Sequence, residues 1–138
     1  MHFRERLTPP ITWLTLFAAL GASFGLIAYP INAAGSILAM VLLGAVTVAV
    51  LWVTSPQVSV EDTELRAGPA HIDTAFLSEI TVLDGPDVRE ALSDPRAFAV
   101  YRPYLRRAVK AMVNDPRDPT PYWLISTARP DELVRALS

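Results

Sequence analysis

The sequence predicts a membrane α-helical hairpin followed by a small α+β domain, an antiparallel sheet or barrel of about seven strands with a C-terminal helix. Three observations predict it. No Asp, Glu, Lys or Arg occurs between Arg6 and Glu61. From Gln57 onward the texture changes to short runs of alternating polarity bounded by Pro, Gly and Asp. Over the last residues, Pro130 with Asp131 and Glu132 opens a helical pattern. Of 138 residues, 51% are hydrophobic and 19% charged, which excludes a disordered segment. Twelve basic residues stand against fourteen acidic ones, without the cationic surplus that nucleic-acid binding requires. The absence of cysteine excludes a disulfide framework, a thiolate nucleophile and cysteine-ligated metal.

The uncharged stretch divides at Tyr29-Pro30-Ile31-Asn32 into spans at residues 11–29 and 33–54, after an N-terminal segment at residues 1–10. At about 1.5 Å of rise per helical residue, each span matches a hydrocarbon core of about 30 Å. Both are apolar all round, with Trp13, Tyr29 and Trp52 near their ends, where amphipathic rings favour the headgroup level. Arg4 and Arg6 precede the first span, the turn is uncharged, and ten basic residues follow the second. The positive-inside bias therefore predicts an inner-membrane protein with both termini cytoplasmic. The competing expectation is a signal peptide cleaved near Gly21-Ala22-Ser23. Gly21 and Gly25 form a GxxxG spacing, expected to pack the hairpin's own second helix near Gly35 and Ala39 or Gly44, or else a second copy or another membrane protein.

The polar domain, residues 57–138, begins with a meander. Gln57–Glu61 and Glu64–Ala67 alternate across the turn Asp62-Thr63, and Gly68-Pro69 leads to a short strand at Ala70–Asp73. A fourth strand is expected at residues 78–83. Pro86 suits the first turn of a short helix through residues 87–92, and Asp94-Pro95 stops it. Strands at residues 97–102 and 106–114 are expected to join at Pro103-Tyr104, and a seventh strand at residues 122–127 follows the proline-rich connection. Asp131 and Glu132 complement the dipole of the terminal helix, whose Leu133, Val134 and Leu137 can dock on a sheet. This order is that of a pleckstrin-homology-like (PH-like) barrel.

Three blocks carry a resemblance: Arg4-Glu5-Arg6-Leu7-Thr8-Pro9-Pro10, Asp94-Pro95-Arg96-Ala97-Phe98, and the run from Asp115-Pro116-Arg117-Asp118-Pro119 through Thr127-Ala128-Arg129-Pro130. In these the chain resembles the actinobacterial family known as domain of unknown function 3093. The resemblance covers nearly the whole chain. It implies a two-span membrane protein without an assigned activity, so it brings no catalytic residue and no cofactor.

The candidate site is a charge pattern. Between Asp94 and Asp115 lie Arg96, Arg102, Arg106, Arg107 and Lys110 and no acid, although ten basic against thirteen acidic residues follow Ser55. A hairpin tip at Pro103-Tyr104 carrying Arg102, Tyr104, Arg106, Arg107 and Lys110 would meet anionic lipid headgroups at about 1 kcal/mol per cation, or an acidic protein partner, or stand simply solvated. In the pair Tyr122-Trp123, alternation turns one aromatic inward. His71 and Asp73 face one way on a short strand, but two ligands are not a metal site, and Asp62 is explained by its turn. No phosphate loop, nucleophile motif or metal-ligand spacing is present. The expected function is therefore non-enzymatic: a PH-like domain held at the membrane surface for lipid or protein contact, with an accessory subunit of a membrane complex as the alternative and a membrane-bound enzyme last.

Overall fold

A computed structural model describes residues 2–138. They divide into two compact units: Thr8–Ser55, and the chain up to Leu7 together with Pro56–Ser138.

The first unit is a helical hairpin. Helix α1 (Ile11–Ser23) runs on through a 3-10 segment, Phe24–Ala28, and α2 (Ala33–Val53) returns. Asn32 starts α2, its side-chain oxygen accepting from the amides of Ala34 and Gly35 at 3.1 and 3.2 Å. The two helices meet at small residues. A Cβ on Gly25 would lie 2.5 Å from the Met40 nitrogen, and one on Gly21 would lie 2.2 Å from Thr47 Oγ1. The buried Ser36 hydroxyl donates to the Gly25 carbonyl at 2.8 Å. Gly21 and Gly25 thus lie against α2, at Leu43 and Thr47 and at Met40 respectively, whereas Gly44 of α2 meets Ala18 and Ala22. Gly35 has another place, against Asn32 in the first turn of α2. Thr47 and Ser23 return their hydroxyls to carbonyls of their own helices.

Both helical stretches, Ile11–Ala28 and Ala33–Val53, are long and apolar enough to cross a membrane. Their large side chains point outward: Ile11, Ile27 and Val53 are each at least 70% exposed. A core helix of a soluble protein would be covered.

The second unit has two four-stranded sheets. Sheet A has the order β1-β2-β3-β4 and is antiparallel throughout, from β1 (Phe3–Arg6), β2 (Gln57–Glu61), β3 (Glu64–Ala67) and β4 (Ala70–Asp73). Sheet B has the order β5-β7-β8-β6, from β5 (Leu77–Leu83), β6 (Phe98–Val100), β7 (Ala108–Val113) and β8 (Tyr122–Ser126). Helix α3 (Gly85–Leu92) links β5 to β6, and α4 (Pro130–Leu137) follows β8. Asp62 turns the β2–β3 hairpin at φ 52°, which a short side chain able to bond its own backbone tolerates. A bulge between Ser78 and Thr81, with Glu79 at φ 44°, bends the edge strand β5 and spoils it as a template for further pairing.

This topology departs from a seven-stranded antiparallel barrel in two ways. There are eight strands among the described residues, because residues 3–6, assigned from the sequence to a segment outside the polar domain, form β1 and pair with β2 in register Phe3↔Val60 to Arg6↔Gln57. And β6 runs parallel to β8, which lies between β6 and β7. Residues 97–102 and 106–114 are therefore not a hairpin. The crossover through residues 101–107 carries the chain past the inserted β8.

The central position of β8 explains its composition. All five of its residues are buried, since both faces of sheet B are covered. One face joins the inner face of sheet A and α4, with Phe3, Leu7, Val58, Val60, Leu65, Trp123, Ile125 and Leu133 in one core. The other holds Val88 and Ala91 of α3 against Ala108, Tyr122 and Leu124. The expectation that one of Tyr122 and Trp123 faces inward is corrected: both are buried, in different cores, and the Tyr122 hydroxyl donates to the Ala91 carbonyl.

Candidate functional site: the root of the polar domain

Chain connectivity defines one end of the polar domain, its root, where the backbone leaves through Leu7 for the hairpin and returns through Pro56. The Leu7 amide donates to the Pro56 carbonyl at 2.9 Å, and the Leu7 side chain is 1% exposed. Strand β1 is held from the far end of the sequence. The Glu5 carboxylate accepts from the Thr127 hydroxyl and from the Ala128 amide. Arg129 donates to the Arg4 carbonyl at 2.8 Å, lies over the Phe3 ring at 5.0 Å and pairs with Glu132. The first and last resemblance blocks are thus one physical clasp.

Residues 101–107 belong to this root. The Tyr104 hydroxyl donates to the Leu7 carbonyl at 2.6 Å, and the Arg102 amide donates to Ser126 Oγ at 3.0 Å. Burial pushes the Tyr104 phenol above its ordinary 10.0, against the opposing pull of Arg102, so it stays a neutral donor at physiological pH. Arg106 and Arg107 are exposed and enter no ion pair among the described residues. Of the five sequence-predicted residues, Arg102, Tyr104, Arg106 and Arg107 share the root. Lys110 does not, because it lies two residues into β7 and faces α3, its ammonium 4.4 Å from the Tyr122 ring centre and lining a cavity with Asp87, Glu90 and Asp94. With β8 between β6 and β7, the five cannot form a single tip.

The outer face of sheet A continues the pattern. Cross-strand register places Arg4, Ser59, Arg66 and His71 in one row, with Arg6 and Gln57 one pleat nearer the root. One pleat farther away stand Glu61, Glu64 and Asp73. The face is cationic toward the root and acidic away from it. His71 and Asp73 are exposed here, and Asp73 caps the next turn through the Ala75 amide at 2.9 Å. Among the described residues, no group of three His, Cys, Asp or Glu could hold a metal ion.

The middle resemblance block and the start of the last one are turns. Asp94 accepts from the Arg96 amide at 3.0 Å and from its guanidinium at 3.1 and 3.0 Å, which holds the carboxyl below its ordinary value. Asp115 accepts from the Arg117 amide and Asp118 from the Thr120 amide, each at 2.9 Å. Each Asp-Pro-x unit is an Asx turn. Arg96 and Arg117 are thereby neutralised by neighbours, unlike Arg106 and Arg107.

Comparison with curated proteins and with solved structures found no match. The family comparison agrees with the blocks just placed in clasp and turns: a family model described as a protein of unknown function (DUF3093) matches residues 2–137, and the chain belongs to that family.

Proposed function

We propose that this is a non-enzymatic membrane protein whose hairpin crosses the bilayer twice and holds the polar domain, root first, against the anionic cytoplasmic leaflet. The observation that carries the proposal is the charge polarity along the outer face of sheet A, joined by residues 101–107: Arg102, Arg106, Arg107, Arg4 and Arg6 lie toward the point where the chain joins the spans, and Glu61, Glu64 and Asp73 stand away from it. The outward-facing apolar side chains of the hairpin support insertion. A cleaved signal peptide is disfavoured, because cleavage near residue 21 would remove β1 from the core. The positive-inside bias gives the side. A PH-like role is kept in this limited sense, a small two-sheet domain with a C-terminal helix presented to headgroups. Tethering keeps the domain concentrated at the surface, so individually weak contacts suffice.

Amide hydrogen exchange of the full chain in nanodiscs tests this. On phosphatidylglycerol the amides of residues 101–107 should exchange about tenfold more slowly than on phosphatidylcholine, and the difference should fade in 1 M salt, where the screening length is about 3 Å. Equal exchange on the two lipids rejects leaflet contact.

A further inference from the structure

The root contains a cavity of about 390 Å³ between the start of α3 and residues 101–107. We propose that it seats the phosphate headgroup of one anionic phospholipid, with Arg89 and Arg106 as the phosphate-binding pair. The inference rests on the leaflet-facing placement above and adds to it a discrete, one-lipid site.

Charge selects the ligand class. Both charged residues in the wall are arginines, and no acid lines it. Helix α3 sorts its charges by face: Arg89 lines this cavity, whereas Asp87 and Glu90 line the neighbouring one around Lys110. Guanidinium forks match pairs of phosphate oxygens in geometry as well as charge. The rest of the wall selects the source of the phosphate. Val88, Tyr101, Pro103 and Leu105 are apolar or aromatic surfaces, suited to the glycerol and first acyl carbons that accompany a lipid phosphate. A free inorganic anion has no use for them. Position agrees, since Pro103 and Leu105 flank Tyr104, which is bonded to Leu7 at the start of the hairpin. The volume is within the range of small-molecule sites, about 300–1,000 Å³.

Native mass spectrometry of the full chain, released from non-ionic detergent in the presence of equal phosphatidylglycerol and phosphatidylcholine, tests the site. The wild-type chain should retain one phosphatidylglycerol in preference. Arg89→Gln should lower that preference about tenfold, the loss of one charge-assisted pair. Arg117→Gln, the same charge change at the Asp115 turn, should leave it intact. An unchanged preference in Arg89→Gln overturns the site, and so does displacement of the lipid by millimolar inorganic phosphate, which would identify a soluble anion as the occupant. If residues 101–107 are protected on anionic nanodiscs but no lipid is retained selectively, the site falls and leaflet contact stands; if that protection is absent in the wild type, both fall.

Discussion

The fragment comprising residues 57–138, expressed without the segment before the hairpin, will not fold to the native domain. It lacks β1, and with it Phe3 and Leu7, which are 4% and 1% exposed in the main core. Burying two such side chains is worth about 3–6 kcal/mol. The fragment also leaves the β2 edge unpaired, and removing Glu5 leaves the Thr127 hydroxyl and Ala128 amide without their acceptor. A net stability of about 5–15 kcal/mol is typical of a domain, so this loss, added to the unpaired edge and the orphaned polar groups, is a large share of it. The expected result is a fragment with poorly dispersed amide resonances and a tendency to associate through β2. In the full chain, Leu7→Ala should cost about 2–5 kcal/mol, while Arg4→Ala on the exposed side of the same strand should stay within about 0.5 kcal/mol. A cooperative, well-dispersed 57–138 fragment would show that β1 is dispensable.

Gly25→Leu will separate the two helices of the hairpin. A Cβ at residue 25 already falls 2.5 Å from the Met40 nitrogen, which is backbone and cannot swing aside, and the Ser36–Gly25 hydrogen bond would be lost with the contact. Disulfide trapping can read this without background, because the chain has no cysteine. A Cβ built on Gly44 lies 3.7 Å from the Ala22 Cβ, inside the disulfide range of about 3.5–4.5 Å. The double variant A22C/G44C should therefore oxidise within one chain. Adding Gly25→Leu should reduce the intramolecular product by at least about tenfold, the effect of losing somewhat more than 1.4 kcal/mol of packing. If A22C/G44C instead gave mainly crosslinked dimers, the glycine face would belong to a second copy.

Much of this fold was legible because the local signals were of the kind that tertiary structure seldom overrides. Two long uncharged runs separated by Tyr29-Pro30-Ile31-Asn32, alternation at Gln57–Glu61, and proline at the start of α3 and α4 each gave the right element. Strand β1 was also written in the sequence: Phe3, Glu5 and Leu7 alternate with Arg4 and Arg6. The two arginines before an apolar span read more readily as a topology signal, and a strand of four residues has no pattern strong enough to compete. The insertion of β8 between β6 and β7 left no local trace beyond its five consecutive buried residues, which resemble any apolar run. Sheet order is decided by which faces α3 and α4 cover, a property of the assembled core. The same step decided the site. Arg102, Arg106, Arg107 and Lys110 are close in sequence, yet the alternation of β7 turns Lys110 toward α3, and Arg89, from a segment with no distinguishing pattern, takes its place beside Arg106.

Pairing of β1 with β2 across the hairpin requires that the two flanks of the hairpin share one side of any membrane it crosses. Single-cysteine variants His2→Cys, Ile31→Cys and Ser138→Cys, labelled with a membrane-impermeant thiol reagent in sealed vesicles of known orientation, measure this directly. Positions 2 and 138 should react from the cytoplasmic side and position 31 only from the opposite side. Positions 2 and 138 reacting from opposite sides, or all three reacting from one, would contradict it.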